Sequence, residues 1–544
     1  MPEIEVILGL LVAVAVLATL ASRIRVPYPI LLVLGGLVLG FLPGLPRVEL
    51  PPELVFLIFL PPLLYVSAIF TSWRDFRANL RAISLLSVGL VIFTTCAVAA
   101  VAHATIEGLT WPAAFVLGAI VSPTDAIAAT SVAQRLGVPR RIITIIEGES
   151  LVNDATGIVA YRIAVAAVMA GVFSIWEAGF AFVVGSIGGV LFGLAIGWIV
   201  VWGRRHASQD PPVQNTISLL TPFAAYLLAE ELPTYLWEQL HERFGFPGEL
   251  HLSGVLAVVA TGLYLGRRGP IIIASRTRLQ GYAFWELVSF LLNGLIFILI
   301  GLQLRNIVEG LSEYSAAELV LYAGLISLTV VLLRFLWVFP ATYLPRLLSR
   351  RLRERDPSPP WQSVTIVSWT GMRGVISLAA ALALPLYTYD GTPFPQRDLI
   401  LFLTFCVILT TLVVQGLSLP ALIRALGVED DGSGEREETK GRIYVAEAAL
   451  ARLGELEGEE WVREDTAERV RGLYNYRRSR FAARFDGDGD GLEERSAAYQ
   501  RLLVELLRAQ RQTLIRLRNE GKIGDEVMHR IERDLDLEES RLEL

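Results

Sequence analysis

A short stretch near residue 150 concentrates side chains that can bind cations and protons. It reads Glu147-Gly148-Glu149-Ser150-Leu151-Val152-Asn153-Asp154 and holds three carboxyl groups within eight residues. At about 100° per residue in a helix, Glu147, Ser150 and Asp154 share one face, and Glu149 and Asn153 share a neighbouring face. A hydroxyl and a carboxylate one turn apart supply oxygen ligands, which hard cations such as Na⁺ prefer. The spacing therefore predicts a small cation site on this helix.

Two further polar segments interrupt apolar stretches of the sequence. They are Ser122-Pro123-Thr124-Asp125 and Thr370-Gly371-Met372-Arg373-Gly374. Proline and glycine weaken helix continuity, and the carbonyls of a broken helix become available to an ion. We expect Thr124 to face the cation site. We expect Arg373 to neutralise Glu149, because a buried carboxylate needs a positive partner.

The composition places most of the chain in a membrane. Of its 544 residues, 53% are hydrophobic and 19% are charged, and the mean hydropathy is +0.52. Residues 427–544 hold 29 of the 54 acidic and 21 of the 48 basic side chains. We therefore divide the chain into a transmembrane domain, residues 1–426, and a cytoplasmic helical tail, residues 427–544. The balance excludes a disordered chain, a disulfide scaffold and a basic nucleic-acid-binding protein, so no nucleic acid partner is expected.

Long apolar runs predict about thirteen transmembrane helices, since roughly 20 apolar residues are needed to cross the hydrocarbon. They cover approximately residues 4–21, 26–44, 54–70, 82–106, 111–133, 142–172, 176–202, 217–232, 252–265, 284–303, 319–343, 364–387 and 399–423. The loops after the odd-numbered runs carry 19 arginines, against four after the even-numbered runs. Because Lys and Arg stay cytoplasmic, the N-terminus is predicted outside and the tail inside the plasma (inner) membrane.

Thirteen crossings allow two six-helix units related by inversion, joined by a linker helix. The fifth and twelfth crossings are then partners, and these are the two that contain the polar interruptions. Inverted repeats whose broken helices meet at mid-depth are typical of secondary transporters. The predicted fold class is therefore an all-α membrane protein with two inverted six-helix repeats and broken crossing helices, followed by an α-helical tail.

Each ionisable group inside the membrane needs a partner, a water-filled cavity or a function. A packing network alone would explain any one of them, but not three carboxyls beside two broken helices. For Arg162 and Arg334 we favour snorkelling or pairing near an interface. For Asn293 we favour a hydrogen bond between helices over ion binding.

Four motifs resemble those of a known family. Phe59-Leu60-Pro61-Pro62-Leu63-Leu64, Pro123-Thr124-Asp125, the run Glu149 to Asp154, and Gly371-Met372-Arg373-Gly374 are similar to signatures of the sodium/proton exchangers of the cation:proton antiporter-1 group, the bacterial NhaP and animal NHE types. The resemblance covers essentially all of residues 1–426. It implies an antiporter that is no enzyme and uses no cofactor, built as a homodimer in which a mobile six-helix core gives alternating access.

The same resemblance implies that Asp154 binds either Na⁺ or H⁺, with Ser150 and Thr124 as further Na⁺ ligands. Desolvation disfavours a bare carboxylate, so the two ions would compete for Asp154. Asn153, where a second Asp could stand, resembles the electroneutral branch. The remaining implied roles are support of the site by Asn153, compensation of the crossed helix ends by Asp125, and a structural ion pair of Glu149 with Arg373.

One position departs from the family pattern. Many NhaP-type relatives carry an acidic residue shortly after the third-span motif, where this chain reads Tyr65-Val66-Ser67. The choice among Na⁺, Li⁺ and K⁺ therefore stays open, and a potassium/proton antiporter of the same fold is an alternative. A cation channel is a further alternative, although the sequence holds no selectivity-filter repeat. The sequence also holds no His-Glu-x-x-His pattern and no Walker loop, which disfavours a metal-dependent enzyme and an ATP-driven pump.

The tail reads as an acidic linker over residues 429–442 followed by helices near 446–456, 464–484, 499–519 and 525–542. Leucines at helical spacing between Leu502 and Leu517 form an apolar stripe. This pattern favours a small helical bundle over a ligand sensor.

Overall fold

The computed structural model describes residues 2–42, 51–170, 175–244, 252–309, 311, 314–486 and 490–540. The chain forms two compact units, Met1–Glu429 and Asp430–Leu544, called here the membrane unit and the tail unit. The division falls close to the boundary predicted after residue 426. Across the described ranges the chain is α-helical without β-strands, apart from one isolated bridge between Tyr387 and Pro393. The predicted all-α class is confirmed.

The membrane unit is built mainly from long apolar helices. In chain order its helices are α1 (Pro2–Ile24), α2 (Tyr28–Gly40), α3 (Pro52–Phe70), α4 (Trp73–Ala78), α5 (Leu80–Thr105), α6 (Trp111–Val121), α7 (Ile127–Arg135), α8 (Arg140–Ala170), α9 (Ile175–His206), α10 (Pro211–Phe244), α11 (Gly254–Ile272), α12 (Ser275–Glu309), α13 (Ala316–Leu348), α14 (Arg350–Arg355), α15 (Trp361–Trp369), α16 (Val375–Leu382) and α17 (Arg397–Leu426).

Many of these helices can span a bilayer. Within the described residues, nine helices are long and apolar enough to do so, and α2 and α6 are shorter apolar helices. Each of the thirteen predicted runs falls on one helix or on a pair of consecutive helices. The number of crossings and the inverted repeat themselves stay predictions.

The two predicted interruptions are real breaks. Residues 122–126 separate α6 from α7, and residues 370–374 separate α15 from α16. The breaks touch each other, because the Asp125 backbone N–H donates a hydrogen bond of 2.7 Å to the Met372 carbonyl. The chain is therefore not helical at either break. The backbone hydrogen bond between the breaks joins the two pairs of half-helices.

Helix α8 runs beside this crossing through the centre of the membrane unit. Ile146 and Tyr161 belong to one hydrophobic cluster of that unit, and Leu151 and Ala155 belong to a second. Gly157 permits close approach, since a Cβ atom there would lie 2.3 Å from Cγ of Pro123 in the first break. Small residues commonly allow such contact between membrane helices. The polar face of α8 is thereby held against the breaks.

The tail unit consists of α18 (Ser433–Leu456), α19 (Glu464–Asp486), α20 (Asp490–Asn519) and α21 (Asp525–Ser540). The linker predicted over residues 429–442 is wrong for most of its length, because α18 already begins at Ser433. Charged helix-forming residues make that start helical, and Glu438 pairs with Arg442 one turn later. Leu507 and Leu514 of α20 pack with Met528 and Leu535 of α21. The apolar stripe therefore serves helix packing within this unit.

Candidate cation site

A cavity of about 220 Å³ lies beside the crossing. The first break contributes Thr124 and Asp125, and α8 contributes Ser150 and Asp154. The other walls come from α3, α12 and α16, with the lining residues Leu60, Leu63, Leu64, Val66, Ser67, Ser289, Asn293, Val375, Ile376 and Ser377. The structure thus brings together the residues predicted to bind the cation. Glu147, predicted on the same face of α8, does not line this cavity.

Asp154 is the carboxylate of this cavity without a protein partner. Its side chain is 8% exposed, and no hydrogen bond or ion pair joins it to another described residue. A buried carboxylate in that state is costly unless it takes up a proton or a cation. The arrangement can therefore bind one or the other at this group.

Thr124 is fixed by two neighbours on α8. Its hydroxyl donates to Glu149 Oε1 at 3.0 Å and accepts from Asn153 Nδ2 at 2.7 Å. A hydroxyl oxygen has two lone pairs, so one remains for a ligand in the cavity. Ser150 Oγ accepts a bond of 3.3 Å from the Ala126 backbone N–H. Asn153 and Ser150 therefore hold the first break in register with α8.

Asp125 lies between the N-terminal ends of two half-helices. Its Oδ1 accepts a hydrogen bond of 2.8 Å from the Ile127 N–H, at the start of α7. Its Oδ2 lies against Gly374, directly before α16, where an added Cβ atom would be only 2.1 Å away. Helix N-termini carry a positive partial charge, so the carboxylate stabilises both ends. Glycine at 374 is what allows this approach.

Arg373 lies at the opposite ends of the half-helices. Its Nε donates a hydrogen bond of 2.9 Å to the carbonyl of Val121, the last residue of α6. Its Nη1 donates to the Gly371 carbonyl, just after α15, and its backbone N–H donates to Thr411 Oγ1 at 3.0 Å. Helix C-termini carry a negative partial charge, which the guanidinium neutralises.

The ion pair of Glu149 has a different partner from the one predicted. Arg334 of α13 donates to both carboxylate oxygens, at 2.5 and 2.8 Å, and both side chains are 1% exposed. The expected pair with Arg373 is therefore wrong, because Arg373 is turned towards the helix ends. The interfacial position expected for Arg334 is also wrong. The sequence shows that both arginines lie in apolar spans. It does not show which of the two reaches α8.

Arg162 fits its expected behaviour better. It pairs with Glu230 at 2.9 Å, and its side chain is 43% exposed. Glu230 also accepts a hydrogen bond from the Gly254 N–H at 3.1 Å. This pair therefore ties α8 to α10 and α11 away from the cavity.

Three polar side chains on the other walls escaped sequence reasoning as site residues. Ser289 Oγ, Asn293 Oδ1 and Ser377 Oγ are buried and have no hydrogen-bond partner among the described residues, and all three side chains line the cavity. The interhelical bond expected at Asn293 therefore does not involve its carbonyl oxygen. Buried polar atoms in such a place are usually satisfied by ordered water or a ligand. The only sequence signal was polarity within an apolar run.

Comparison with known proteins decides the family. The sequence profile of the family described as "Sodium/hydrogen exchanger, transmembrane" matches residues 10–234 and 244–425. The chain belongs to this family. The predicted resemblance is thereby confirmed, and the protein is a cation/proton antiporter, a multi-pass membrane transporter.

Relatives of this exchanger share most of its length. It is 37% identical over 542 residues to an uncharacterized Na(+)/H(+) exchanger of Mycobacterium tuberculosis, covering 99% of this chain and 96% of that protein. It is 35% identical to a sodium, potassium, lithium and rubidium/H(+) antiporter of Bacillus pumilus, over 77% of this chain and 61% of the relative. It is 31% identical to the Na(+)/H(+) antiporter ApNhaP of Aphanothece halophytica, over 82% of this chain and 78% of that protein.

A solved structure shares the fold of the exchanger. The sodium proton antiporter MjNhaP1 from Methanocaldococcus jannaschii superposes with a TM-score of 0.61 at 20% identity. The match covers 78% of this chain and 99% of that protein. The fold of the membrane unit is thus that of an NhaP antiporter.

Proposed function

We propose that the exchanger carries Na⁺ and H⁺ in opposite directions across the plasma membrane, and that the two ions compete for Asp154. The observation that carries this proposal is the isolation of the Asp154 carboxylate in the cavity. An unpaired charge at this depth makes the empty form unfavourable, whereas the protonated and the cation-bound forms are neutral. The carrier then changes its facing side only when it is loaded.

Na⁺ would be held by Asp154, Ser150 and Thr124. All three line the cavity and offer the oxygen ligands that a hard cation needs. Asn153 would orient Thr124 through the hydrogen bond between them. Asp125 would lower the potential of the cavity while remaining bound to the helix ends.

The stoichiometry would be one ion each way, so that exchange is electroneutral. Glu149 is paired with Arg334, and Asp125 faces two helix N-termini, so these carboxylates are already compensated. Asn153 contributes no charge. Asp154 alone is left to alternate between ions, which supports a single charge per cycle.

K⁺ in place of Na⁺ is a second candidate substrate. Val66 lines the cavity where the family resemblance implies an acidic ligand, so the cation would be surrounded by less negative charge. The relative from Bacillus pumilus is named for sodium, potassium, lithium and rubidium. A site with fewer fixed charges discriminates less sharply between monovalent cations by field strength.

The deciding experiment uses everted vesicles that carry a preformed pH gradient. Separate additions of Na⁺, Li⁺ and K⁺ should each be tested for dequenching of a pH-sensitive dye, and Na⁺ should collapse the gradient at the lowest concentration. The Asp154→Asn variant should give no dequenching with any cation. Robust exchange by that variant would refute the assignment, and a rate that follows the membrane potential would refute one-for-one exchange.

We also propose a homodimer whose N-terminus lies outside and whose tail unit lies in the cytoplasm. The arginine-rich loops support this orientation. Labelling of single cysteines at Glu5 and in the tail with an impermeant reagent would check it. Cross-linking in native membranes would check the dimer.

A further inference from the structure

Another buried charge lies outside the lining of the cation cavity. Arg204, near the end of α9, is 3% exposed, and no described carboxylate forms an ion pair with it. Its Nε has no hydrogen-bond partner among the described residues, and its Nη2 makes one long bond of 3.5 Å to the Gln214 carbonyl. A buried guanidinium without an anion is strongly unfavourable. An anion is therefore needed at this place.

The surroundings of Arg204 are built for an anion. Arg204 lines a pocket of about 110 Å³ whose other polar side chains include Gln214, Asn215, Ser218, Thr277 and Arg278, and no carboxylate is among its described lining residues. The nearest acidic residue along the chain, Asp210, is exposed and accepts a hydrogen bond from Ser208. The pocket thus carries two positive charges and no negative one.

Two helix ends add to this potential. Gln214 and Asn215 lie in the first turns of α10, which begins at Pro211. Thr277 and Arg278 lie in the first turn of α12, which begins at Ser275. The positive ends of two helices of 34 and 35 residues therefore face the same pocket.

The carbonyl end of α9 is closed off by side chains. Gln209 Nε2 and Gln214 Nε2 donate hydrogen bonds to the Arg204 carbonyl at 3.1 and 3.2 Å. These bonds remove the acceptor that would otherwise attract the guanidinium back to its own helix end. The charge of Arg204 is left for the pocket.

The rim of the pocket is apolar. Phe70 and Tyr282 stack with their ring centroids 5.2 Å apart, and both are about half exposed. Ile273 and Leu265 continue the lining. A purely water-soluble anion gains nothing from such a rim, whereas the first carbons of an acyl chain do.

We propose that this pocket binds a phosphate-bearing anion, supplied by the headgroup of an anionic phospholipid. The Arg204 and Arg278 guanidinium groups and the Asn215 amide hold the phosphate. Charge-assisted bonds from arginine to phosphate are among the strongest available to such a site. The lipid stabilises the membrane unit at the arginine-rich end of the bundle.

The test measures the melting temperature of the purified full-length exchanger in detergent during titration with lipid. Phosphatidylglycerol should raise the melting temperature in a saturable way, and phosphatidylcholine, whose headgroup has no net charge, should not. Inorganic phosphate is titrated separately, and a matching rise with it would assign the site to free phosphate instead of lipid. Equal shifts with both lipids, or no shift with either, would overturn the proposal.

Variants locate the effect. Arg204→Gln should raise the half-saturating concentration of phosphatidylglycerol about tenfold or more, the effect of losing one bond to a charged group. Arg205→Gln removes the same charge from the exposed neighbouring side chain and should change it little. Gly281→Leu fills the pocket from the α12 side and leaves Arg204 in place. If Arg204→Gln fails to fold, retention of the full lipid shift by Gly281→Leu would still refute the site.

Discussion

Glu149 and Asp154 lie five residues apart on α8, and the membrane unit treats them in opposite ways. Glu149 is 1% exposed and carries two bonds from Arg334 and one from Thr124. Asp154 is 8% exposed and lines the cavity without a partner in the described part of the chain. A carboxylate whose charge is fully compensated cannot exchange ions without breaking its surroundings. An unpaired buried carboxylate has to bind a proton or a cation, and a carrier can use this requirement to exchange the two ions.

At the two breaks, too, the charges that compensate helix ends are separate from the Asp154 carboxylate. Asp125 lies at the N-terminal ends of half-helices and Arg373 at the C-terminal ends, so each break is compensated without using Asp154. We therefore expect the crossing to remain stable when the ligand leaves. Because the structural charges are separate from the carboxylate that we propose binds the ions, we expect different results from breaking the Glu149 ion pair and from replacing Asp154.

The largest effect is expected for Asp154→Asn. Loss of the only unpaired carboxylate of the cavity should abolish exchange of every cation while the protein still folds. Because removal of a lone buried charge relieves its desolvation, the melting temperature should equal or exceed that of the wild type. Cation-driven proton flux in proteoliposomes, with the melting curve of the same sample, measures both quantities. A lower melting temperature would mean that Asp154 has a structural partner.

The opposite pattern is expected for Arg334→Gln. This change leaves Glu149 buried and unpaired, which costs about 3–5 kcal/mol of folding free energy. The yield and the melting temperature should fall together, and exchange should be lost only in proportion to folded protein. Arg350→Gln, which breaks the exposed pair with Glu354, is the control and should cost at most about 1 kcal/mol. A stable but inactive Arg334→Gln protein would instead place Glu149 in the transport reaction.

The residues expected to bind the cation could be predicted from the sequence because their signals are local. Carboxyl spacing on one helix and the Pro and Gly interruptions of two spans are visible without tertiary structure, and the cavity unites Asp154, Ser150 and Thr124 accordingly. The partner of Glu149 depends on how α13 packs against α8, and one sequence holds no information on which arginine lies across from it. The same limit applies to Ser289, which lines the cavity because of the way α12 packs.

A moderate effect is expected for Asn293→Ala. The Asn293 carbonyl oxygen has no hydrogen-bond partner among the described residues and its side chain lines the cavity, so we expect it to help hydrate or coordinate the bound cation. Loss of one such bond, about 0.5–1.5 kcal/mol, should raise the half-saturating Na⁺ concentration about two- to tenfold. Maximal rate and melting temperature should change little. The measurement is initial exchange rate against Na⁺ concentration.

A matched pair of serines separates this effect from general packing. Ser289 lines the cavity, and Ser327 of α13 does not, although the hydroxyl oxygens of both are buried without a hydrogen-bond partner in the described part of the chain. Ser289→Ala should therefore move the half-saturating Na⁺ concentration in the same direction as Asn293→Ala. Ser327→Ala should leave it unchanged. Equal responses from both serines would count against a ligand role for the α12 wall.

The smallest effect is expected for Glu147→Gln, on the residue that the helical spacing places on the same face as Asp154. Glu147 is only half-buried and does not line the cavity, which begins one turn further along α8 at Ser150. Seven residues of helix separate it from Asp154, or about 10 Å at 1.5 Å per residue, which is too far for the two carboxylates to coordinate one cation. Exchange by Glu147→Gln should stay within about twofold of the wild type at physiological salt. A loss of transport like that of Asp154→Asn would mean that two carboxylates of α8 work together, and the cation would then be bound across both turns of the helix instead of at one group.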